Sequence, residues 1–305
     1  MFAVEPCSLY TGRMDRSAKI ILLKSLAAAD EDINLIDRIE ARRRAIMGKT
    51  QRKQSPISGL HTSSSNSRGG EEDVQDLHLA GLTFRMNMGY ASASIDTLID
   101  LWIDTAHRSL PGFRGEENAT ILDIGANEGF YTLRMKQENP AARVLSVEPI
   151  STTYQLLTTN LALNPCTRSY VYPVNAAAAA EHRHMEMFRH SQVPTVSSEH
   201  INQLDQPWIK PSSLQKEMVE AFSLNEMCRH AGFGAVDLIK IDVEGAEVDV
   251  LQGAQEVLRR TLRIVVEWHS PALRDATIAL LQKRGFRLLL AEKHRFGDLY
   301  FEKKC

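Results

Sequence analysis

Seven short apolar runs punctuate the chain from Ala119 onward, and helix-periodic stretches separate most of them. Ile121 to Ile124, Arg143 to Val147, Tyr170 to Val174, Val236 to Ile241, Arg263 to His269, Phe286 to Leu290 and Leu299 to Phe301 read as strands. Between them, Tyr154, Leu157 and Leu161 share one helical face, and Val250, Ala254, Val257 and Leu258 share another. Asn139-Pro140 and Asn164-Pro165 are helix stops, because the residue before proline is pushed out of the helical region. Ser151 and Ser270-Pro271 read as helix starts, and Gly285 as a left-handed stop. Too few residues separate the last two strands for a helical crossover, so they pair antiparallel. Pro173 points to an edge position or a bulge for the third strand. The pattern predicts an α/β fold with a doubly wound, mostly parallel seven-stranded sheet.

The flanking segments read differently. Ile20, Leu23 and Leu26, then Ile33, Ile36 and Ile39, predict helices within residues 17–47, with Asp30 capping the second. Residues 51–76 are polar and Gly/Ser-rich, and read as a flexible linker. Leu82 to Met88 alternates as a strand, and Ile95 to Ala106 reads as a helix. The expected organisation is an N-terminal helical segment (1–50), the linker (51–76), a strand/helix lid or dimerisation segment (77–115) and one large domain (116–305). The thin N-terminal pieces cannot bury a core alone, so they are expected to pack on the large domain or on a second copy as a homodimer contact. Residues 177–235 are the least regular: Met185 and Met187 suggest an extra strand, Pro194 to Pro211 a loop, and Leu214 to His230 a helix.

Composition adds mainly exclusions. The formal net charge of −2 provides no basic field for nucleic acid. The cluster Arg42, Arg43, Arg44, Lys49, Arg52, Lys53 reads as a solvated helix face. No apolar run approaches the ~18 residues of a membrane span, and the N-terminus has no basic leader. Cys7, Cys166, Cys228 and Cys305 are scattered without metal-ligand spacing, which predicts free thiols and a cytoplasmic setting. His182, His184, His190 and His200 read as an exposed hairpin rather than a metal site.

The chemistry concentrates at strand ends. Asp123-Ile-Gly-Ala-Asn-Glu-Gly129 is a strand, a turn and a helix start, with Gly125, Asn127 and Gly129 suited to left-handed backbone. A dinucleotide fingerprint would need glycine where Asn127 and Phe130 stand, and no P-loop lysine is present. Glu148 ends the next strand, where a carboxylate can accept from both hydroxyls of a ribose. An acid, a glycine turn and a ribose acid fit S-adenosylmethionine better than NAD. Asn175 and Ala176, at the end of the third strand, are placed to meet an adenine. Lys240 and Asp242 share one side of their strand, with Asp242 at its end. Glu244 and Glu247 open the following helix, where acids complement the helix dipole. His269 is the candidate general base, with Glu267 to orient it. A second reading groups Asp242, Glu267 and His269 around Mg²⁺, and is not the favoured one.

The motifs Asp-Ile-Gly-Ala-Asn-Glu-Gly, Val-Glu-Pro and Ile-Lys-Ile-Asp-Val-Glu-Gly-Ala-Glu occur in order across residues 118–270. Together they resemble the FkbM family of S-adenosylmethionine-dependent methyltransferases. The resemblance implies a class I, Rossmann-like fold and methylation of a small-molecule hydroxyl, on a natural product or sugar. Nitrogen or carboxylate acceptors, an NAD-dependent oxidoreductase and a non-catalytic binding protein are the alternatives. The N-terminal ~115 residues lie outside the resemblance.

Overall fold

The computed structural model describes residues 15–52, 74–103, 110–114, 116–190, 193–198, 214–292 and 297–304. Its centre is a seven-stranded sheet. In chain order the strands are β3 (Thr120–Ile124), β4 (Arg143–Val147), β5 (Val171–Val174), β10 (Val236–Ile241), β11 (Thr261–Trp268), β12 (Phe286–Ala291) and β13 (Gly297–Lys303). Their spatial order is β12-β13-β11-β10-β3-β4-β5, with only β13 running against its neighbours. The doubly wound expectation therefore holds, and Pro173 does sit on an edge strand.

The order places the ends of β3, β4 and β10 side by side. Asp242 N donates to Ile124 O at 2.9 Å, so the turn after β3 meets the turn after β10 directly. A helix (Phe130–Glu138) leaves the first turn, and a second (Ser151–Leu163) follows β4. Ser151 does not cap that helix. Ile150 holds the cap position, and the Ser151 hydroxyl instead donates to Glu217. Ser270 does cap its helix (Pro271–Lys283), accepting from Leu273 N, and Gly285 is left-handed as expected.

The N-terminal pieces add helices Arg16–Lys24, Asp30–Arg52 and Ala91–Trp102, and a hairpin of β1 (Val74–Leu79) and β2 (Leu82–Asn87). Asp30 lies inside its helix, and Asp32 accepts the Ala29 N–H instead. The expected linker lies mostly outside the described residues, but Gln51 and Arg52 end the second helix and Val74 to Asp76 already belong to β1. Thr105 and Ala106, expected to extend the third helix, also lie outside them.

These pieces share one hydrophobic cluster with Ile121, Leu133, Leu157 and Leu161 of the large domain. Phe84 packs edge-on between Trp102 and Phe130, at 5.3 and 5.1 Å between ring centroids. Burying such a ring contributes about 1.5–3 kcal/mol. Two buried amides lock the hairpin down: Asn160 accepts from Arg85 N, and Asn164 accepts from Thr83 N and donates to Thr83 O.

The region after β5 forms a second, four-stranded sheet in the order β6-β9-β7-β8: Ala177–Ala178, Leu214–Phe222, Arg183–His190 and Val193–Ser198. β7 contains the strand expected around Met185 and Met187. Two expectations fail here. Val193 to Ser198 is strand, although residues 194–211 read as loop. Leu214 to Phe222 is strand rather than helix, and only Leu224–His230 is helical. The residues of β9 favour helices one by one, but Val219 and Ala221 are buried with exposed Met218 and Glu220 beside them, a two-residue period. Pairing with β7 along eight residues overrides the local preference.

Among the described residues no helix is long and apolar enough to cross a membrane. His182 and His184 are exposed, and His182 stacks on Phe222. Arg42, Arg43 and Arg44 lie at or near the surface, and Arg42 donates to Met88 O.

Candidate active site

A pocket with about 710 Å³ of space unfilled by atoms opens where the three strand ends meet. The first turn, Glu148 and the turn after β10 bound it on the polar side. Ala177, Ala178, Met185 and Met187 supply an apolar wall from the second sheet. The irregular stretch of sequence thus does reach the site, while no described residue of the N-terminal segments lines it.

The first turn is left-handed at Gly125 (φ +79°), Asn127 (φ +52°) and Gly129 (φ +85°). Its glycines are required by packing. A Cβ at Gly125 would collide with the Asp242 carbonyl, and one at Gly129 with the Leu157 side chain. The turn's N–H groups are also already engaged. Gly125 N and Ala126 N donate to Val147 O, and Asn127 N donates to Glu148 Oε2 at 3.0 Å. This turn therefore offers no cradle of open N–H groups for a phosphate, in keeping with the sequence's departure from a dinucleotide fingerprint.

Glu148 is 5% exposed and accepts from Asn127 N and Ile150 N. Burial nonetheless pushes its carboxyl up to about 7. Asn175 donates to Glu148 O and Pro149 O. Neither Asn175 nor buried Ala176 lines the pocket; the next two alanines do.

Asp123 is wholly buried beneath the turn and also off the pocket wall. It accepts from Thr132 Oγ1 at 2.6 Å, and burial raises its carboxyl. Its role in this geometry is to pin the first turn to the helix behind it. Lys240 bridges the layers, 3.0 Å from Asp242 and 4.0 Å from Asp123. Burial opposes the Lys240 charge, but the two acids outweigh it and raise its pKa.

At the other end, five ionisable groups converge. His269 Nδ1 lies 2.6 Å from Glu247 Oε1, and Nε2 lies 3.3 Å from Glu244 and 3.9 Å from Asp242. Glu247, expected to serve the helix dipole, is wholly buried and accepts from Gly245 N as well. It holds the imidazole, where the sequence suggested Glu267. Glu267 instead shares a hydrogen bond with Asp242, whose negative charge, with burial, drives Glu267 well above the usual carboxylate range.

Burial disfavours a charged His269. The Glu247 hydrogen bond and the charges of Glu244 and Asp242 win, pushing it up to about 10. An imidazolium cannot accept a proton at neutral pH, which argues against His269 as the free base. Glu244 is pushed up by burial to about 7 and lines the pocket. Its backbone is left-handed at φ +49°, a strained conformation for a non-glycine residue. Neither Glu244 nor Glu247 was singled out for this work by sequence. The available signal was the density of acids, Asp242, Glu244 and Glu247, around one glycine.

A parallel sheet with its ligand pocket beyond the strand ends, a glycine turn and an acid after the second strand define a class I methyltransferase fold. The family model described as the methyltransferase FkbM domain matches residues 123–288, and the chain belongs to that family of S-adenosylmethionine-dependent methyltransferases. It is 31% identical to methyltransferase sdnD of Sordaria araneosa over 192 residues, which are 55% of this chain and 74% of that one. It is 27% identical to 2-O-methyltransferase NoeI of Sinorhizobium fredii (strain NBRC 101917 / NGR234) over 189 residues, 57% and 73% of the two chains. An FkbM methyltransferase structure from Methylobacillus flagellatus KT aligns at TM-score 0.43 and 18% identity over 61% of this chain, spanning less than half (44%) of that longer one.

Proposed function

We propose that the protein moves the methyl group of S-adenosylmethionine to a hydroxyl oxygen of a small molecule of the natural-product or sugar kind. One observation carries this reading: a single pocket is bounded both by the glycine turn with Glu148 and by the carboxylates Asp242 and Glu244. The name of the NoeI relative, a 2-O-methyltransferase, supports oxygen as the acceptor atom.

The residues fit the cofactor. Each Glu148 oxygen accepts one backbone N–H and keeps capacity for a ribose hydroxyl. The wall of Ala177, Ala178, Met185 and Met187 suits a flat adenine ring, and Gly125 to Asn127 would carry the methionine side. When bound, S-adenosylmethionine supplies a methyl group on a sulfonium, already a good leaving group. The protein's contribution is then alignment of the acceptor, worth up to ~7–11 kcal/mol in well-oriented systems, and removal of one proton.

In this arrangement the Glu244 carboxylate takes the hydroxyl proton, because its pKa is near the working pH and His269 is already charged. His269 and Lys240 hold the two pocket carboxylates in position. The reading is tested by incubating the full chain with methyl-labelled S-adenosylmethionine and a metabolite extract. Label should appear as an O-methyl ether. Label on nitrogen would overturn the acceptor assignment, and no calorimetric binding of S-adenosylmethionine would overturn the reaction.

A further inference from the structure

Asp242 and Glu244 line the pocket at the end of β10, and with His269 beside them after β11 they have a second capacity. Asp242, Glu244 and His269 each offer one ligand atom, and these atoms lie within 4.8 Å of one another. The imidazole is prepared in the manner of metal-binding histidines. Its Nδ1 is held at 2.6 Å by a carboxylate with no exposed surface, and its Nε2 faces the two other acids. A carboxylate behind a histidine fixes ring orientation and raises ligand basicity.

A second observation points the same way. The other oxygen of Glu247, Oε2, is buried without a hydrogen-bond partner, so negative charge here exceeds what the surrounding donors satisfy. Among the described residues, His269 itself and Lys240, which is shared with Asp123, are cations in ion-pair range of these acids.

We propose that Asp242, Glu244 and His269 form a binding site for one divalent cation of the Mn²⁺ type, with Glu247 as the residue that positions His269 and with the His269 Nε2 proton displaced to solvent as the ion binds. Two carboxylate oxygens and one imidazole nitrogen select against Ca²⁺, which prefers all-oxygen shells, and suit a first-row ion with open positions. The set differs from the one the sequence suggested: Glu244 replaces Glu267, which is engaged with Asp242. Facing the pocket, such an ion would gather an acceptor oxygen and raise the acidity of its hydroxyl, whose proton would then leave to solvent rather than to Glu244.

The test needs neither methyl donor nor acceptor, so its failure is separate from failure of the methyltransferase reading. The full chain, stripped with chelator and desalted, is titrated with Mn²⁺ while the free ion is followed by electron paramagnetic resonance. One saturable ion per chain is expected. Glu244→Gln should weaken binding at least tenfold, and so should His269→Gln. Glu186→Gln, on the surface strand β7, should leave it unchanged. Circular dichroism confirms that each variant is folded; Glu244 is partly exposed, so its variant remains informative if the histidine variant does not fold. No saturable binding, or binding unaffected by Glu244→Gln, would overturn the site.

Discussion

Glu247 Oε1 lies 2.6 Å from His269 Nδ1, joining the first turn of one helix to the end of a strand 22 positions later. Burial disfavours the imidazolium, and this contact acts with the charges of Glu244 and Asp242 to outweigh it. Glu247→Gln should therefore lower the His269 pKa from about 10, read by NMR titration of the ring. Methyl transfer should fall roughly 10–100-fold, the usual cost of losing a partner that orients a site histidine. An unchanged ring titration would show that Glu244 and Asp242 suffice.

Glu148 closes the cofactor side. Glu148→Ala should weaken S-adenosylmethionine binding by roughly tenfold to a hundredfold, equivalent to about 1.5–3 kcal/mol for charge-assisted hydrogen bonds. Calorimetry on the folded variant measures it. Equal affinity would remove Glu148 from the ribose role.

Gly125 tests whether packing shapes the turn. Gly125→Ala puts a Cβ into the Asp242 carbonyl at a left-handed position, and should lower stability by ~3 kcal/mol or more. Gly234→Ala meets nothing within 4 Å and has ordinary backbone, so it should be neutral or slightly stabilising. Comparing the two melting temperatures isolates the collision from the general effect of losing a glycine.

The Glu128 carboxyl, buried behind the turn, accepts from Ser94 Oγ at 2.6 Å and is pushed up by burial to about 7. In the unfolded chain it titrates near 4.5. Between these values the folded protein holds a proton that the unfolded chain has lost. Stability from this group is therefore full below about pH 4.5 and declines as pH rises through 7. Its share is on the order of 2–3 kcal/mol. Glu148 and Glu244 act in the same direction. Glu128→Gln should flatten part of the fall in melting temperature between pH 5 and 8. A slope identical to the parent's would mean that Glu128 is ionised in the fold.

Asn160 ties the N-terminal hairpin to the large domain, bonding Arg85 N, Arg85 O and Glu128 O. Asn160→Ala leaves those backbone groups without partners, each a loss of about 1–3 kcal/mol if water cannot reach it. Amide exchange in residues 82–87 should accelerate more than in the strands of the large sheet. Uniform acceleration would mean that the hairpin and sheet open together.

What the sequence determined by itself is local. The strand-turn-helix at Ile121 to Glu138, the acid at Glu148, the edge proline and the Ser270-Pro271 cap were legible because neighbouring residues impose them, through periodicity, positive-φ tolerance and fixed proline geometry. Family motifs extended that reading to the fold and the cofactor. Only the tertiary structure decided what depends on residues far apart in sequence. Leu214 to Phe222 became a strand because β7 pairs with it. Ala177 and Ala178, not Asn175 and Ala176, face the pocket because β6 joins β9. His269 found Glu247 instead of Glu267, and with Glu244 and Asp242 nearby its charge is favoured. Side-chain partnership and burial set a pKa, and neither is written in the spacing of residues along the chain.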